Sequence, residues 1–153
     1  MRKIGFIGCG HMAKALIKGL KSNKSYELFG HDRNSKNLAW LEQEKIPFCS
    51  LKEICQKSDI LIICVKPKDM YDLCSEIGTY IGNELKIVSV AAGITLENLK
   101  DALSRGKVYR AMPNIGAKHN LGITSIFSCE ELNEIMDIFN YLGKAIFLSL
   151  IHI

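Results

Sequence analysis

The apolar positions of this chain form short continuous runs that alternate with stretches of helical spacing. The runs that predict strands are 4–7, 26–29, 46–49, 60–65, 87–91, 108–112, 122–127 and 145–148. Between the first two runs, apolar residues from Ala13 to Leu20 recur at i, i+3, i+4 and i+7, the spacing of one helix face. This alternation predicts an α/β fold with a Rossmann-like, doubly wound sheet. We expect six mainly parallel strands and one or two edge strands that can run antiparallel.

The run at 60–65 is apolar on both sides, which predicts a central parallel strand covered by helices on both faces. Further helices are predicted after Asn34, over 67–81, and after Thr95, whose hydroxyl is a suitable N-cap. The chain therefore reads as repeated strand–helix units.

The pattern changes in the last third of the chain. Residues 122–127 follow the preceding strand without an intervening helix, so we expect them to pair antiparallel at a sheet edge. Ser128 and Glu131 have the spacing of a capping box and predict a helix that ends before Gly143.

Composition and charge exclude several classes of protein. Of the 153 residues, 48% are hydrophobic and 24% are charged, which excludes disorder and fibrous repeats. The length predicts one domain. The net charge of +4 is scattered, so nucleic acid is not an expected partner. No apolar run nears the ~20 residues of a membrane span, and no signal peptide follows Met1, so we expect a cytoplasmic protein without membrane contact.

The six cysteines do not have the spacing of a metal site or of a redox motif. They are Cys9, Cys49, Cys55, Cys64, Cys74 and Cys129. We expect reduced thiols, most of them small core residues, and no bound metal. No neighbouring base favours any of them as a nucleophile.

The first candidate for chemistry is the turn between the first strand and the first helix. It has the pattern GxGxxA and consists of Gly8, Cys9, Gly10, His11, Met12 and Ala13. Gly8 permits a tight turn, Gly10 lets a pyrophosphate approach the backbone, and Ala13 permits close packing of helix on strand. The helix N-terminus offers free N–H groups to phosphates. This context predicts binding of a dinucleotide.

The end of the second strand bears on the choice of cofactor. A carboxylate at Asp32 is suited to the ribose 2′-OH of NAD(H), whereas a guanidinium at Arg33 is suited to the 2′-phosphate of NADP(H). The cationic, polar residues that follow favour NADP(H), and NAD(H) stays open. A third interpretation is that Asp32 only caps the next helix and Arg33 is solvated.

Three further segments lie at the carboxyl ends of predicted strands, where ligands bind in open α/β sheets. They are Val65, Lys66 and Pro67; Ala92 and Gly93; and Met112, Pro113 and Asn114. With the opening IGFIGCGHMAKAL, the VKP, SVAAGIT and RAMPN blocks make the chain resemble the pyrroline-5-carboxylate reductases. The resemblance covers about residues 1–148, the domain expected of this chain. Because the family usually has acidic residues after the last strand, the resemblance implies that the apolar end at 149–153 is a truncated or non-native tail.

The resemblance implies an N-terminal NAD(P)H-binding domain of an enzyme that reduces 1-pyrroline-5-carboxylate, an imino acid, to L-proline in proline biosynthesis. Residues 65–67 and 92–93 would line the nicotinamide and its ribose, and residues 112–114 would form the floor. The family has a second, helical domain that forms the dimer, holds the substrate carboxylate and carries the proton donor. The catalytic proton donor is therefore unknown here, and a homo-oligomer is expected only of a full-length enzyme.

Two departures from the family pattern affect the site. His11 stands where the family usually has Asn, and Ile115-Gly116 stands where it usually has Thr-Pro. Two other functions stay open: a different NADP-dependent oxidoreductase, of the F420-dependent or β-hydroxyacid type, or a nucleotide-binding module without catalysis.

Overall fold

A computed structural model describes residues 1–148, and the tail expected at 149–153 lies outside this part. The elements in chain order are β1 (Arg2–Ile7), α1 (His11–Leu20), β2 (Tyr26–His31), α2 (Ser35–Gln43), α3 (Leu51–Lys57), β3 (Ile60–Ile63), a 3₁₀ turn (Pro67–Asp69), α4 (Met70–Ile77), β4 (Lys86–Ser89), α5 (Leu96–Leu103), β5 (Lys107–Met112), a second 3₁₀ segment (Ile115–His119), β6 (Gly122–Phe127), α6 (Asn133–Tyr141) and β7 (Gly143–Phe147).

The seven strands form one sheet in the order β2-β1-β3-β4-β5-β6-β7. The first five strands are parallel, β6 pairs antiparallel with β5, and β7 pairs parallel with β6. The predicted fold class and the antiparallel pairing are confirmed. However, β7 covers the outer side of β6, so the edge position expected for β6 belongs to β7. The chain leaves β1 in one direction towards β2 and returns to β3 on the other side, which creates a topological switch point.

Each face of the sheet has its own apolar core. In β3, Ile60 and Ile62 belong to the core beneath α1 and α6, whereas Leu61 and Ile63 belong to the core beneath α3, α4 and α5. All four side chains are fully buried. Each such burial contributes ~1.5–3 kcal/mol, so the continuous apolar run holds helices on both faces, as predicted.

Asn120, the residue after the second 3₁₀ segment, connects the ends of two helices through its side chain. Asn120 has a left-handed backbone (φ 59°), and its side-chain amide donates to the carbonyls of Gly19 (3.1 Å) and Tyr141 (2.9 Å). These carbonyls lie near the C-termini of α1 and α6, where the last turn lacks partners of its own. Gly19 permits the approach, because a Cβ there would clash with the backbone of Ala117.

The strand predicted at 46–49 is wrong. Only a single parallel bridge joins Phe48 to Gly30, through Gly30 N–H to Pro47 O and Cys49 N–H to Gly30 O, both 2.9 Å. Pro47 has no N–H to continue a ladder, and the Phe48 side chain is exposed.

The capping box predicted at Ser128 and Glu131 is also wrong. The Ser128 hydroxyl is buried and donates to the carbonyl of Val108 at 2.8 Å, and α6 begins later, without a side-chain cap. The same spacing does cap α3, a helix that the apolar pattern did not predict. There Ser50 accepts from the N–H of Glu53, and its hydroxyl lies 3.1 Å from the Glu53 carboxylate.

The helix predicted over 67–81 is shorter than expected. Pro67 begins a 3₁₀ turn, and α4 ends at Ile77 with Gly78 as its C-cap. Glycine is a poor helix former, which explains the early end. The N-cap predicted at Thr95 is confirmed, because its hydroxyl accepts from Asn98 N–H at 3.1 Å.

Candidate functional site

The turn between β1 and α1 has the geometry that its glycines predicted. Gly8 has a positive φ of 84°, and a Cβ there would lie 3.0 Å from the backbone of Val65. Gly10 is the N-cap of α1 and provides no side-chain cap, and a Cβ there would have nothing within 4 Å. The first N–H groups of α1 therefore face open space above Gly10, which suits an anionic ligand.

Ala13 allows the helix to lie close to the sheet. Its side chain is fully buried in the core between α1 and the sheet. His11, by contrast, is exposed on the first turn, and Met12 is partly buried against the same core as Ala13. The small side chain of Ala13 therefore sets how close α1 lies to the sheet, and the N-terminus of α1 is left open beside the exposed His11.

The carboxylate of Asp32 binds groups within the chain. Its Oδ2 accepts from Cys9 N–H (2.7 Å) and from the Asn37 side-chain amide (2.9 Å), while Oδ1 accepts from Asn34 N–H (2.8 Å). Burial raises the pKa of Asp32, but these donors outweigh it and lower the pKa below its usual value. The two lone pairs of Oδ2 are both used.

Arg33 points away from this network. Its side chain is 78% exposed and lies 3.5 Å from the Glu76 carboxylate of α4. The next residue, Asn34, caps α2 by accepting from the N–H of Lys36 at 2.8 Å and of Asn37 at 3.3 Å. A surface ion pair of this kind is weak, so Arg33 remains available to a phosphate.

A cleft of about 660 Å³ opens at the carboxyl ends of β1, β2 and β3, beside the switch point. Of the residues singled out in the sequence, it is lined by Gly8, Cys9, Gly10, Asp32, Arg33, Val65 and Lys66. The three separate segments of sequence that supply them meet because parallel strands end at one edge of the sheet.

The other predicted residues do not line this cleft. They are His11, Met12 and Ala13 on α1, Pro67 in the first 3₁₀ turn, Ala92 and Gly93 after β4, and Met112, Pro113 and Asn114 after β5. Gly93 has a φ of 76° and is exposed, and Met112 is half exposed. The Asn114 side chain accepts from the N–H of Gly116 (3.2 Å) within its own loop. These segments share the sheet edge with the cleft, and their proposed roles stay predictions.

Ten further residues, not singled out as site residues in the sequence, line the cleft. They are Ile7 and His31 on β1 and β2; Asn34, Asn37 and Leu51 at the starts of α2 and α3; Cys64 after β3; Lys68 and Asp69 in the first 3₁₀ turn; and Asp72 and Leu73 on α4. Lys68 and Asp69 directly follow the VKP block, so the end of β3 could have pointed to them.

The thiols of the cysteines are not suited to act as nucleophiles in this site. Cys9, Cys55 and Cys74 are buried, Cys49 and Cys64 are partly buried, and Cys129 is exposed. Burial raises the pKa of Cys9 to about 12 and those of Cys55 and Cys74 to about 11. Within residues 1–148, no group of three or more His, Cys, Asp or Glu side chains could hold a metal ion. No helix in the same part of the chain has the length and apolar character of a membrane span.

Comparison with known proteins gives a consistent set of relatives. A family model described as NADP oxidoreductase, coenzyme F420-dependent, matches residues 3–93. The pyrroline-5-carboxylate reductase of Escherichia coli (strain K12) is 36% identical over 155 residues, covering 94% of this chain and 58% of the relative. That of Methanosarcina acetivorans is 32% identical over 162 residues, covering 95% and 58%. The chain thus spans less than two thirds of the length of these relatives.

Solved structures agree with the fold. A pyrroline-5-carboxylate reductase from Coxiella burnetii superposes with a TM-score of 0.86 at 24% identity, over 95% of this chain and 58% of that one. A Plasmodium falciparum pyrroline carboxylate reductase, solved with NADP bound, gives 0.85 at 24% identity, over 96% and 57%. The enzyme from Streptococcus pyogenes gives 0.82 at 28% identity, over 96% and 58%. These relatives include the reductases that the sequence motifs resemble.

Proposed function

The chain belongs to the family of NADP oxidoreductases described as coenzyme F420-dependent, and from this premise we propose that it is the cofactor-binding part of a pyrroline-5-carboxylate reductase. In the proposed reaction, 1-pyrroline-5-carboxylate, NADPH and a proton give L-proline and NADP⁺. The matches to curated reductases support this choice, because they cover 94% of the chain and continue beyond residue 93, where the family model stops.

The observation that carries the proposal is the open space above Gly10. A pyrophosphate needs N–H donors and a backbone that it can approach closely, and the uncapped start of α1 provides both. Gly8 holds the turn in its left-handed conformation, and the Asp32 carboxylate holds Cys9 N–H from the other side. When bound, the nicotinamide would supply the hydride for the C=N carbon.

We assign NADPH as the preferred cofactor. The Asp32 carboxylate is occupied by Cys9, Asn34 and Asn37, so it has little capacity left for a ribose hydroxyl. The exposed guanidinium of Arg33, at the mouth of the same cleft, is suited to a 2′-phosphate. The neighbouring carboxylate of Glu76 weakens this attraction without abolishing it.

The strand ends are assigned the task of positioning. We propose that Val65, Lys66 and Pro67 line the nicotinamide ribose, with Ala92 and Gly93 beside them and Met112, Pro113 and Asn114 below. Rigid strand ends suit this role, because a hydride acceptor must lie ~3–3.5 Å from the nicotinamide in a fixed pose. We assign no residue of 1–148 as the proton donor or as the clamp for the substrate carboxylate. Their location in a helical domain stays a prediction.

A second candidate function is supported by the description of the family model itself. A coenzyme F420-dependent oxidoreductase would use the same glycine turn and the same cofactor cleft, and would exchange hydride between NADP and a deazaflavin. The two functions differ in the second substrate, so turnover with an imino acid or with a deazaflavin separates them. Binding of NADPH without turnover of either would favour a nucleotide-binding module.

The test is a chimera in which residues 1–148 replace the matching N-terminal part of the Escherichia coli reductase. We expect NADPH oxidation that depends on 1-pyrroline-5-carboxylate, and we expect little or none from the 153-residue chain alone. The same chimera with Gly10→Val is the control, and its activity should be lost. A folded chimera that binds NADPH but does not reduce the imino acid would contradict the proposal. We also propose a cytoplasmic location and a role in proline biosynthesis, which cell fractionation and rescue of a proline auxotroph would test.

A further inference from the structure

A second cleft, away from the cofactor cleft, contains a buried arginine without an anionic partner. Arg110 lies in β5 and is only 9% exposed. Among residues 1–148, its guanidinium has no carboxylate within 4.0 Å and donates no hydrogen bond; it lies 5.7 Å from the centre of the Phe127 ring. Ser58 Oγ, and no nitrogen of Arg110, is the fully buried unpartnered side-chain atom of residues 1–148, so the five N–H donors of the guanidinium reach the water of the adjoining cleft. This arrangement is expected where a ligand provides the acceptors.

The cleft next to Arg110 has a volume of about 490 Å³, ample for a small metabolite. It is lined by Thr95, Leu96, Glu97, Lys100, Asp101, Arg110 and Cys129. None of these residues lines the cofactor cleft. The cleft therefore forms a separate site between the start of α5 and the end of β5.

The start of α5 adds to the attraction for an anion. The Thr95 hydroxyl caps Asn98 N–H, which leaves the N–H groups of Leu96 and Glu97 at the beginning of the helix. Because these groups and the guanidinium of Arg110 belong to the walls of one cleft, they can bind the two oxygens of a carboxylate.

The acidic residues of the cleft narrow the choice of ligand. Glu97 and Asp101 are four residues apart on α5 and therefore lie on one helix face, and both line the cleft. Lys100 on the same helix also lines the cleft, so its charged side chains are two cations and two carboxylates, a mixture that suits a zwitterion better than a phosphate dianion. The guanidinium on β5 and the carboxylates on α5 are complementary to the two charged ends of a zwitterion.

We propose that this cleft binds a free α-amino or α-imino acid. The ligand's carboxylate binds Arg110 and the first N–H groups of α5, and its ammonium group faces Glu97 and Asp101. The choice of L-proline as the natural ligand rests on the proposed function, of which it is the product. Occupancy of this cleft would then report product concentration at a distance from the cofactor.

Cys129 provides a direct measurement, because it lines the cleft and is the exposed cysteine among the six. The intact chain is alkylated with iodoacetamide, and the rate at Cys129 is followed by mass spectrometry. We expect L-proline and glycine to slow the alkylation several-fold. Sodium acetate, which has no ammonium group, should protect less, and sodium chloride at equal ionic strength should not protect.

Three variants locate the effect. Arg110→Gln should abolish protection, and Asp101→Asn, an exposed change that leaves the fold intact, should weaken protection by amino acids but not by acetate. Asp137→Asn on α6 is the matched control and should behave as the parent chain does. Equal protection by acetate and glycine, no protection by either amino acid, or no effect of Asp101→Asn would overturn the proposal.

The proposed function is measured in the same samples by NADPH titration. A chain that binds NADPH but shows no protection of Cys129 refutes the amino-acid cleft alone. Protection by glycine in a chain that does not bind NADPH refutes the proposed function alone.

Discussion

The carboxylate of Asp32, directly after β2, accepts a 2.7 Å hydrogen bond from the backbone N–H of Cys9 in the glycine turn after β1. The same carboxylate accepts from Asn34 N–H and from the Asn37 side chain at the start of α2. One side chain therefore joins the turn of one strand–helix unit to the helix of the next. The turn has its shape before a ligand binds, which lowers the cost of binding.

This relationship predicts the effect of Asp32→Asn. An amide of similar shape loses the charge that strengthens three hydrogen bonds, so the free energy of unfolding should fall by about 1–3 kcal/mol. The affinities for NADPH and NADH should fall together, because the turn serves both. Urea denaturation and calorimetric titration measure the two effects. A loss confined to NADH would instead assign Asp32 to the ribose hydroxyl.

The same carboxylate should give a pH dependence. Burial raises the pKa of Asp32, but the N–H donors of Asn34 and Cys9 outweigh it and lower the folded-state pKa below the ordinary 3.8. The contribution to stability is therefore complete above 3.8 and is lost as the pH falls through the lower folded-state value. The stability difference between the parent chain and Asp32→Asn should shrink over that acidic range. A difference that grows on acidification would contradict this assignment.

Gly10→Val should abolish NADPH binding and leave the fold intact. A Cβ at this position has nothing within 4 Å in the free chain, so the valine enters only the space needed by the pyrophosphate. Gly82→Val is a matched control, because a Cβ there also has nothing within 4 Å and Gly82 lines neither proposed ligand cleft. Calorimetry and circular dichroism give the two readouts. Unchanged NADPH affinity in Gly10→Val would refute the assignment of the turn.

Arg33→Ala should weaken NADPH binding by about 1.5–3 kcal/mol, the range for hydrogen bonds to charged groups, and leave NADH nearly unchanged. Glu76→Gln removes the competing carboxylate 3.5 Å away and should strengthen NADPH binding slightly. Arg105→Ala, an exposed arginine outside the cleft, controls for the loss of net charge. Equal losses for both cofactors in Arg33→Ala would argue against a contact with the 2′-phosphate.

Tyr109→Phe tests a buried hydrogen bond that holds β5 to the segment before α6. The Tyr109 hydroxyl donates to the carbonyl of Glu131 at 2.6 Å, and its removal should cost about 1–3 kcal/mol because the acceptor loses its partner. Burial raises the pKa of Tyr109 to about 12. The stabilisation is complete below the unfolded value of 10.0 and is lost as the pH rises towards 12. Denaturation at pH 8 and pH 11 should show the difference between the two chains shrinking at the higher pH.

Local sequence patterns predicted most of the helices and strands. They failed where contacts between residues far apart in sequence determine the local structure. The spacing S-x-x-E occurs at Ser50 and at Ser128, and only Ser50 caps a helix. Ser128 directly follows β6, whose pairing with β5 brings its hydroxyl to the carbonyl of Val108. Nothing within the local sequence distinguishes the two positions, because the competing acceptor comes from 20 residues away.

The part of the site that could be predicted from the sequence is the part formed by local backbone structure. Gly8 and Gly10 are required by the turn itself, so the sequence shows them directly. Asp32 was singled out, but its bond to Cys9 depends on the pairing of β1 with β2 and could not be deduced from spacing. Asp72 enters the cleft only because α4 begins beside the end of β3, which is a tertiary relationship.

Asn120 has a consequence for how this protein can change during evolution. The glycine turn lies at one end of α1, and Asn120 is bound to the carbonyl of Gly19 near the other end. Gly19 falls within the residues that the family model matches, 3–93, whereas Asn120 does not. A recombination event that exchanged the chain after residue 93 would keep the glycine turn, Asp32 and Arg33, and would remove the support behind α1. The two halves are therefore expected to be inherited together, although the family model matches only the first.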